Sequence, residues 1–138
     1  MATTTLASFP IRFTWALDDL RALVSGHPII AEGWGLRPEL VAPLLDSPRR
    51  MVVMAATDRF RQHQLRHLAR ARTLDTPVSD PNRAQRNRLT RDRIIAADAV
   101  HSARRPGIRV IDIDGTQGTD SIADILATHF SPYLPAKA

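Results

Sequence analysis

Three short apolar runs alternate with helix-start signals along this chain, and that alternation limits its fold more than any other feature. The runs cover residues 28–31 (PIIA), 51–56 (MVVMAA) and 108–113 (IRVIDI). Short apolar runs bounded by turn residues are typical of buried strands. Strands that alternate with helices predict a parallel sheet with helices on its faces. We therefore predict an α/β fold built on an incomplete, doubly wound parallel sheet of about three strands with flanking helices.

The predicted helices follow from capping residues and from apolar periodicity. Proline in the first turn, and Thr or Asp just before a helix, suit the unpaired amides at that end. These signals place helices at residues 14–24, from 38 onward, at 58–72, from 81 to about 105, and at 119–130. Residues 1–13, rich in Thr, Ala and Ser, are predicted to be poorly defined. We expect one α/β domain over residues 14–135, with a lid-like insertion at about residues 66–93.

Composition indicates the cellular compartment in which the protein is expected. The 138 residues suffice for one ordinary domain, and they contain no run of about eighteen apolar residues. Residues 1–10 lack the basic and apolar pattern of a leader. The chain has no cysteine, which removes disulfides, thiolate chemistry and cysteine-based metal sites. We expect a cytoplasmic protein that does not engage a membrane.

Positive charge is concentrated in one window of the chain. Residues 59–93 hold ten arginines against three aspartates, a balance of +7, while the whole chain carries +5. A localised basic segment predicts an anionic partner, here a nucleotide or a small phosphorylated molecule. Phe60 is the one aromatic residue of the window, so base stacking has few platforms and nucleic acid is not the expected partner. The alternative is that the arginines only occupy solvated helix faces.

Three residues after the first apolar run are candidate ligands. Glu32, at the predicted carboxyl end of a strand, can hold a magnesium-bound water or orient a phosphate acceptor. Trp34 can stack on a flat substrate, and Arg37 can bind an anionic group of the acceptor. Each has a simpler alternative: a glutamate that stabilises a turn, a tryptophan packed on a helix, and a solvated arginine.

Further candidates lie in the arginine-rich window and at the end of the third run. Arg86, Arg91 and Arg93 are predicted to share a broad helix face, and guanidinium forks suit phosphate oxygens. Asp112 and Asp114 alternate onto one face of a predicted strand, where they can contact a nucleotide or bond to nearby loops. No metal site is predicted.

One motif of phosphate-transferring α/β enzymes is missing from the sequence. A P-loop, Gly-x-x-x-x-Gly-Lys-Ser/Thr, needs a lysine that reaches the terminal phosphates. The 138 residues contain no such motif, and the one lysine is Lys137. We therefore expect a fragment that lacks an N-terminal segment, an oligomer that is completed by another chain, or a repurposed relic. As given, the chain is expected to be catalytically incomplete.

Four stretches together resemble the nucleoside monophosphate kinases and related small P-loop kinases. They are residues 32–37 (EGWGLR), 52–58 (VVMAATD), 83–93 (RAQRNRLTRDR) and 111–116 (IDIDGT). The first resembles an acceptor-binding element, the third resembles an arginine-bearing lid helix, and the last resembles the turn beside the base of ATP. Residues 32–39 are also similar to an element of uncharacterised kinase-like P-loop proteins.

The resemblance implies ATP- and Mg²⁺-dependent phosphoryl transfer to a small acceptor, provided that a P-loop is supplied upstream. It implies catalytic roles for Glu32, Arg86 and Arg91. It implies substrate contacts from Trp34, Arg37, Arg70 and Arg93. It implies cofactor contacts from Gly115 and Thr116. The alternative from another class is a non-enzymatic anion- or nucleic-acid-binding protein that uses the arginine-rich segment.

Overall fold

Two parallel strands, β1 (Val52–Ala56) and β2 (Arg109–Ile113), form the one sheet of the residues that the structure describes. The structure is a computed structural model, and it describes residues 2–68 and 78–135. Val53 lies opposite Val110 in the ladder, and Ala55 lies opposite Asp112. The amide of Thr57 donates to the carbonyl oxygen of Ile113 at 3.0 Å, which extends the pairing one residue past β1. The two runs predicted as strands at residues 51–56 and 108–113 are therefore confirmed.

Helices make up most of the described chain, so the mixed α/β class is confirmed. They are α1 (Ala2–Ala22), α2 (Pro38–Val41), α3 (Asp58–His67), α4 (Pro81–Arg104) and α5 (Thr119–Phe130). Short 3-10 turns cover Ala42–Leu44, Pro48–Arg50 and Ser131–Tyr133. None of the helices within residues 2–68 and 78–135 is both long enough and apolar enough to cross a membrane.

Side-chain caps fix the starts of α3 and α4 where the sequence predicts them. The Thr57 hydroxyl accepts from the amide of Phe60 at 3.2 Å, and the Asp80 carboxylate accepts from the amide of Arg83 at 2.9 Å. Each bond satisfies one of the amides that a first helical turn leaves unpaired. Pro81 occupies the first position of α4, where a missing N–H costs no hydrogen bond.

The core lies between α4 and one face of the sheet. Val53, Ala103 and Ile108 are buried together, and the partly buried Ala99 and Val110 pack against them. Ala99 and Ala103 are one helical turn apart, so a stripe of small side chains lets α4 approach the strands closely. The close packing of α4 on the sheet holds the carboxyl ends of β1 and β2 side by side.

The prediction of a strand at residues 28–31 is wrong, and with it the prediction of three strands. Residues 28–31 have no regular secondary structure and all are exposed. A strand needs a neighbouring strand for its backbone groups, and none of the described strands pairs with this segment. Apolar composition alone, here Ile29 and Ile30, does not supply that partner.

Two more differences concern the ends of predicted elements. Residues 14–22 of the helix predicted at 14–24 belong to a longer helix, α1, which also covers most of the range 1–13, contains Pro10 and ends at Ala22. Helix α3 ends at His67, before the predicted limit of residue 72. Residues 69–77 lie outside the described residues, so the lid-like insertion at about residues 66–93 stays a prediction.

Candidate functional site

An open crevice of about 510 Å³ lies at the carboxyl ends of the two strands, between the sheet and α4. The first turn of α3 contributes to its wall. The lining residues are Ala55, Ala56, Asp58, Arg61, Arg93, Ala96, Ala97, Val100, His101, Arg104 and Asp112. Ligands of parallel α/β sheets bind outside the carboxyl ends of the strands, because the loops and helix starts there converge on one edge. This crevice has that position.

Small side chains leave the space that the crevice occupies. Four of its lining residues are alanines, two from β1 and two from α4. Around them, Arg93, His101 and Arg104 follow one stripe of α4, because residues three, four and seven apart share a helix face. The crevice is therefore a shallow apolar floor with basic side chains along one wall.

Of the charged side chains that line the crevice, one arginine has an acidic partner and two do not, within the described residues. The Arg61 guanidinium pairs with the Asp58 carboxylate at 3.0 Å. Within the part of the chain that the structure describes, neither Arg93 nor Arg104 has an ion pair or a side-chain hydrogen bond. Three arginines against Asp58 and Asp112 leave a balance of +1 with a neutral His101. Both uncompensated guanidiniums are exposed, so they are available to an anion from solution.

The turn after β2, where Gly115 and Thr116 were predicted to contact a cofactor, is held by its own side chains. The Asp114 carboxylate accepts from the Thr116 amide at 2.9 Å and from the Thr116 hydroxyl at 2.6 Å. The Thr116 hydroxyl and amide hold the pKa of Asp114 below its ordinary value of 3.8, since both bonds favour the ionised form.

Gly115 has a backbone conformation and a neighbour that favour glycine. Its φ is +84°, in the left-handed region, and a Cβ at this position would lie 2.5 Å from Cδ2 of Phe60. The Phe60 ring thus packs on the glycine and joins α3 to the turn. Phe60 is the one Phe, Tyr or Trp residue of the window 59–93, and this contact packs its ring within the protein.

Arg37, a predicted substrate ligand, is buried and fully engaged within the protein. Its side chain is 3% exposed and donates to Glu39 Oε1 at 3.2 Å, to the carbonyl oxygen of Ile95 at 3.1 Å and to Asp98. Its guanidinium also lies 5.3 Å from the centre of the Phe9 ring. These contacts join α1, α2 and α4, so the observed role of Arg37 is structural.

The other predicted site residues lie apart from the crevice, except Arg93 and Asp112, which line it. Glu32 and Trp34 stand exposed in the irregular segment that precedes α2. Arg86 is exposed on the same stripe of α4 as Arg93, two turns nearer the helix start. Arg91 lies on the other side of α4 and pairs with Asp92 at 2.7 Å. Arg70 lies outside the described residues.

Four polar lining residues were not singled out from the sequence: Asp58, Arg61, His101 and Arg104. The spacing of Arg93, Ala97, His101 and Arg104 along one helix is a signal that could have identified the basic wall. Asp112 was considered as a nucleotide contact, and it does line the crevice. The positions of Asp58 and Arg61 depend on how α3 leaves the sheet, which no local pattern encodes.

Comparison with protein-family models, curated proteins and solved structures finds no match to this chain. Within residues 2–68 and 78–135, no three acidic or histidine side chains are grouped so that they could hold a metal ion. The function therefore has to be argued from the crevice itself.

Proposed function

We propose that this protein binds a small phosphorylated molecule, of the nucleotide class, in the crevice at the carboxyl ends of β1 and β2. The observation that carries the proposal is the pair Arg93 and Arg104, which are exposed, lie on one stripe of α4 about three turns apart, and have no acidic partner among the described residues. Planar guanidinium groups bind phosphate oxygens through paired N–H donors. The Arg37 guanidinium, which is buried and paired, is not part of the proposed site.

The remaining lining residues suit the non-phosphate part of such a ligand. The exposed carboxylate of Asp112 accepts hydrogen bonds, as the hydroxyl groups of a sugar require. The alanine floor and Val100 offer apolar surface to a flat ring. A volume of about 510 Å³ lies within the range of about 300–1,000 Å³ that small-molecule sites occupy. A molecule that combines a phosphate, a hydroxylated sugar and an apolar ring is a nucleotide.

Magnesium, which the resemblance implies, fits the crevice only as an ion that arrives with the ligand. Mg²⁺ keeps several waters and binds one or two carboxylates together with phosphate oxygens. Asp112 is the lining carboxylate without an ion pair to a described residue, and it would hold a magnesium-bound water. Bound Mg²⁺ would offset phosphate charge. Phosphoryl transfer stays a prediction, because the P-loop it needs is not among the 138 residues.

Calorimetric titration with ATP and with pyrophosphate tests the proposal. Arg93→Ala and Arg104→Ala should each weaken binding about tenfold, as expected when a charged hydrogen-bonding partner of a phosphate is lost. Arg12→Ala removes the same charge from the exposed surface of α1 and should leave the affinity within about twofold. Equal weakening by all three variants would show attraction by net charge alone and would contradict a site in the crevice.

The same titration at several salt concentrations separates the proposal from nucleic-acid binding through the arginine-rich segment. Within that segment, Arg61 and Arg91 pair with neighbouring aspartates. Its aromatic ring, Phe60, packs on Gly115. Binding to single-stranded DNA should be weak and steeply salt-dependent, whereas the preference of the protein for ATP over pyrophosphate should persist as salt rises.

A further inference from the structure

The outer edge of β1 has backbone groups that make no hydrogen bond to any residue within 2–68 and 78–135. The amide of Thr57 bonds to Ile113 of the neighbouring strand, and backbone direction alternates along a strand. Val53 and Ala55 therefore also direct their N–H and C=O groups toward β2. Val52, Met54 and Ala56 direct theirs to the opposite edge, where no hydrogen bond from a described residue reaches them. An unpaired strand edge of this kind is a template for another extended segment.

The two edges of the sheet differ in how well they are protected. β2 carries Arg109 and Asp112, both exposed, and charged side chains on an edge oppose pairing with another strand. β1 consists of Val, Val, Met, Ala and Ala, without a charge or a proline. Met54 is 52% exposed. The edge of β1 is thus the unprotected one.

An exposed apolar segment in the same chain has no strand partner in the part of the chain that the structure describes. Residues 23–34 are all exposed and without regular secondary structure apart from local bends and a turn. Val24 is 102% exposed, Ile30 is 72% exposed and Trp34 is 58% exposed. The backbone of residues 28–31 makes no hydrogen bond to another described residue. Such a segment gains both hydrogen bonds and apolar burial by lying along a strand edge.

We propose that residues 28–31 of one copy of the chain lie along the edge of β1 in a second copy, so that the protein self-associates by reciprocal exchange of this segment. Pro28 would stand at the start of the added strand, where its missing N–H is tolerated. Because backbone direction alternates, Ile29 and Ala31 would direct their N–H groups to β1 in one register, and Ile30 would do so in the other. In its own chain the segment has no hydrogen bond to β1, which leaves it available to a neighbour.

The exposed apolar side chains supply a large part of the area that a dimer interface needs. The half- to fully exposed side chains of this contact are Leu23, Val24, Ile29, Ile30, Trp34 and Met54. Aromatic side chains present about 150–250 Å² each and aliphatic ones less, so the six expose on the order of 500 Å² per copy. A stable interface of standard size buries about 800 Å² per partner. Reciprocal exchange would cover this surface in both copies at once.

Molar mass measured by light scattering across a concentration series tests self-association. The wild-type chain should shift from monomer to dimer as its concentration rises. Met54→Lys places a charge on the β1 edge at a half-exposed position and should weaken the dimer at least tenfold without loss of helical content. Ile94→Lys adds the same charge at a 43% exposed position on α4 and should leave the dimer intact. A wild-type chain that stays monomeric, or equal weakening by both variants, would overturn the proposal.

Cysteine cross-linking identifies the occupant of the edge, because the natural chain has no cysteine. Met54→Cys mixed with Ile29→Cys or Ile30→Cys should give an oxidised heterodimer, since facing residues of paired strands lie within disulfide reach. Met54→Cys mixed with Asp19→Cys, an exposed position on α1, serves as the control. A Met54→Cys/Ile30→Cys double variant that closes only within one chain would show pairing inside the monomer and overturn the exchange.

Discussion

Arg37 packs against one side of α4, and Arg93 projects from the opposite side of the same helix. The surroundings of the two guanidinium groups differ. The guanidinium of Arg37 is buried and bonds to Glu39, Asp98 and a backbone carbonyl of α4. The side chain of Arg93 is exposed on the crevice side and has no ion pair with any described residue. Both were candidate substrate ligands from the sequence. The acidic and carbonyl groups around each guanidinium decide whether an arginine holds the fold or remains free for a ligand.

The contrast extends along the helix. On the side of Arg37, Arg91 also has an acidic partner, Asp92. On the crevice side, Arg104 resembles Arg93 in being exposed and without such a partner in the described chain. Stability and ligand binding should therefore respond to different arginines, and each prediction below tests one part of that division.

The largest loss in the free energy of unfolding is expected for Arg37→Ala. Loss of the guanidinium leaves the Asp98 carboxylate without its donor, removes a second donor from the Ile95 carbonyl, and empties the space beside Phe9. Removal of one partner of a buried ion pair costs about 3–5 kcal/mol, and because Asp98 and Glu39 remain partly exposed we expect about 2–4 kcal/mol. Urea denaturation measures this loss.

Arg93→Ala is the matched variant on the crevice side. It removes the same side chain from an exposed position without an observed partner, so the free energy of unfolding should change by less than about 0.5 kcal/mol. If Arg93→Ala destabilises the protein as much as Arg37→Ala does, the division between structural and ligand-binding arginines fails.

Gly115→Ala should give an intermediate loss of stability, which we expect at about 1–3 kcal/mol. The φ of +84° is strained for alanine, and the new Cβ would meet the Phe60 ring. Gly35→Ala is the control, because a Cβ there meets nothing within 4 Å and the backbone φ is not in the left-handed region. Thermal unfolding of the two variants should differ clearly, and equal melting temperatures would rule out the role assigned to the turn.

The smallest effect concerns the pH dependence contributed by Asp114. Because the pKa of its carboxyl is lowered in the folded protein, its stabilising contribution is present above the ordinary value of 3.8 and is lost as pH falls through the lowered pKa. Thr116→Val removes the hydroxyl that makes one of the two bonds. In that variant the Asp114 pKa, followed by NMR titration, should rise toward 3.8. An unchanged value would show that the hydroxyl does not cause the shift.

Elements with local signals were predicted well from the sequence. The Thr57 and Asp80 caps mark the starts of α3 and α4, and the apolar runs at residues 51–56 and 108–113 become β1 and β2. The segment at residues 28–31 was mistaken for a strand of this sheet, because strand formation depends on a neighbour that the local sequence does not reveal.

The candidate site was predictable only in part. Arg93 could be chosen because it lies in the basic window, and Asp112 because it ends a strand. The burial of Arg37 could not be foreseen, since its acidic partner Asp98 is 61 residues away in the sequence. The same applies to Arg61 and Arg104, which meet at the crevice only because the two strands pair in parallel.

The crevice is tested most directly by NMR mapping of amide shifts during titration with ATP. Binding as proposed should shift amides of the strand ends, the first turn of α3 and residues 93–104, and it should saturate. Arg104→Ala should abolish most of these shifts at the same ATP concentration while the spectrum stays folded. Shifts spread over exposed arginines such as Arg12 and Arg86, without saturation and unaffected by Arg104→Ala, would contradict a phosphate-binding site in the crevice.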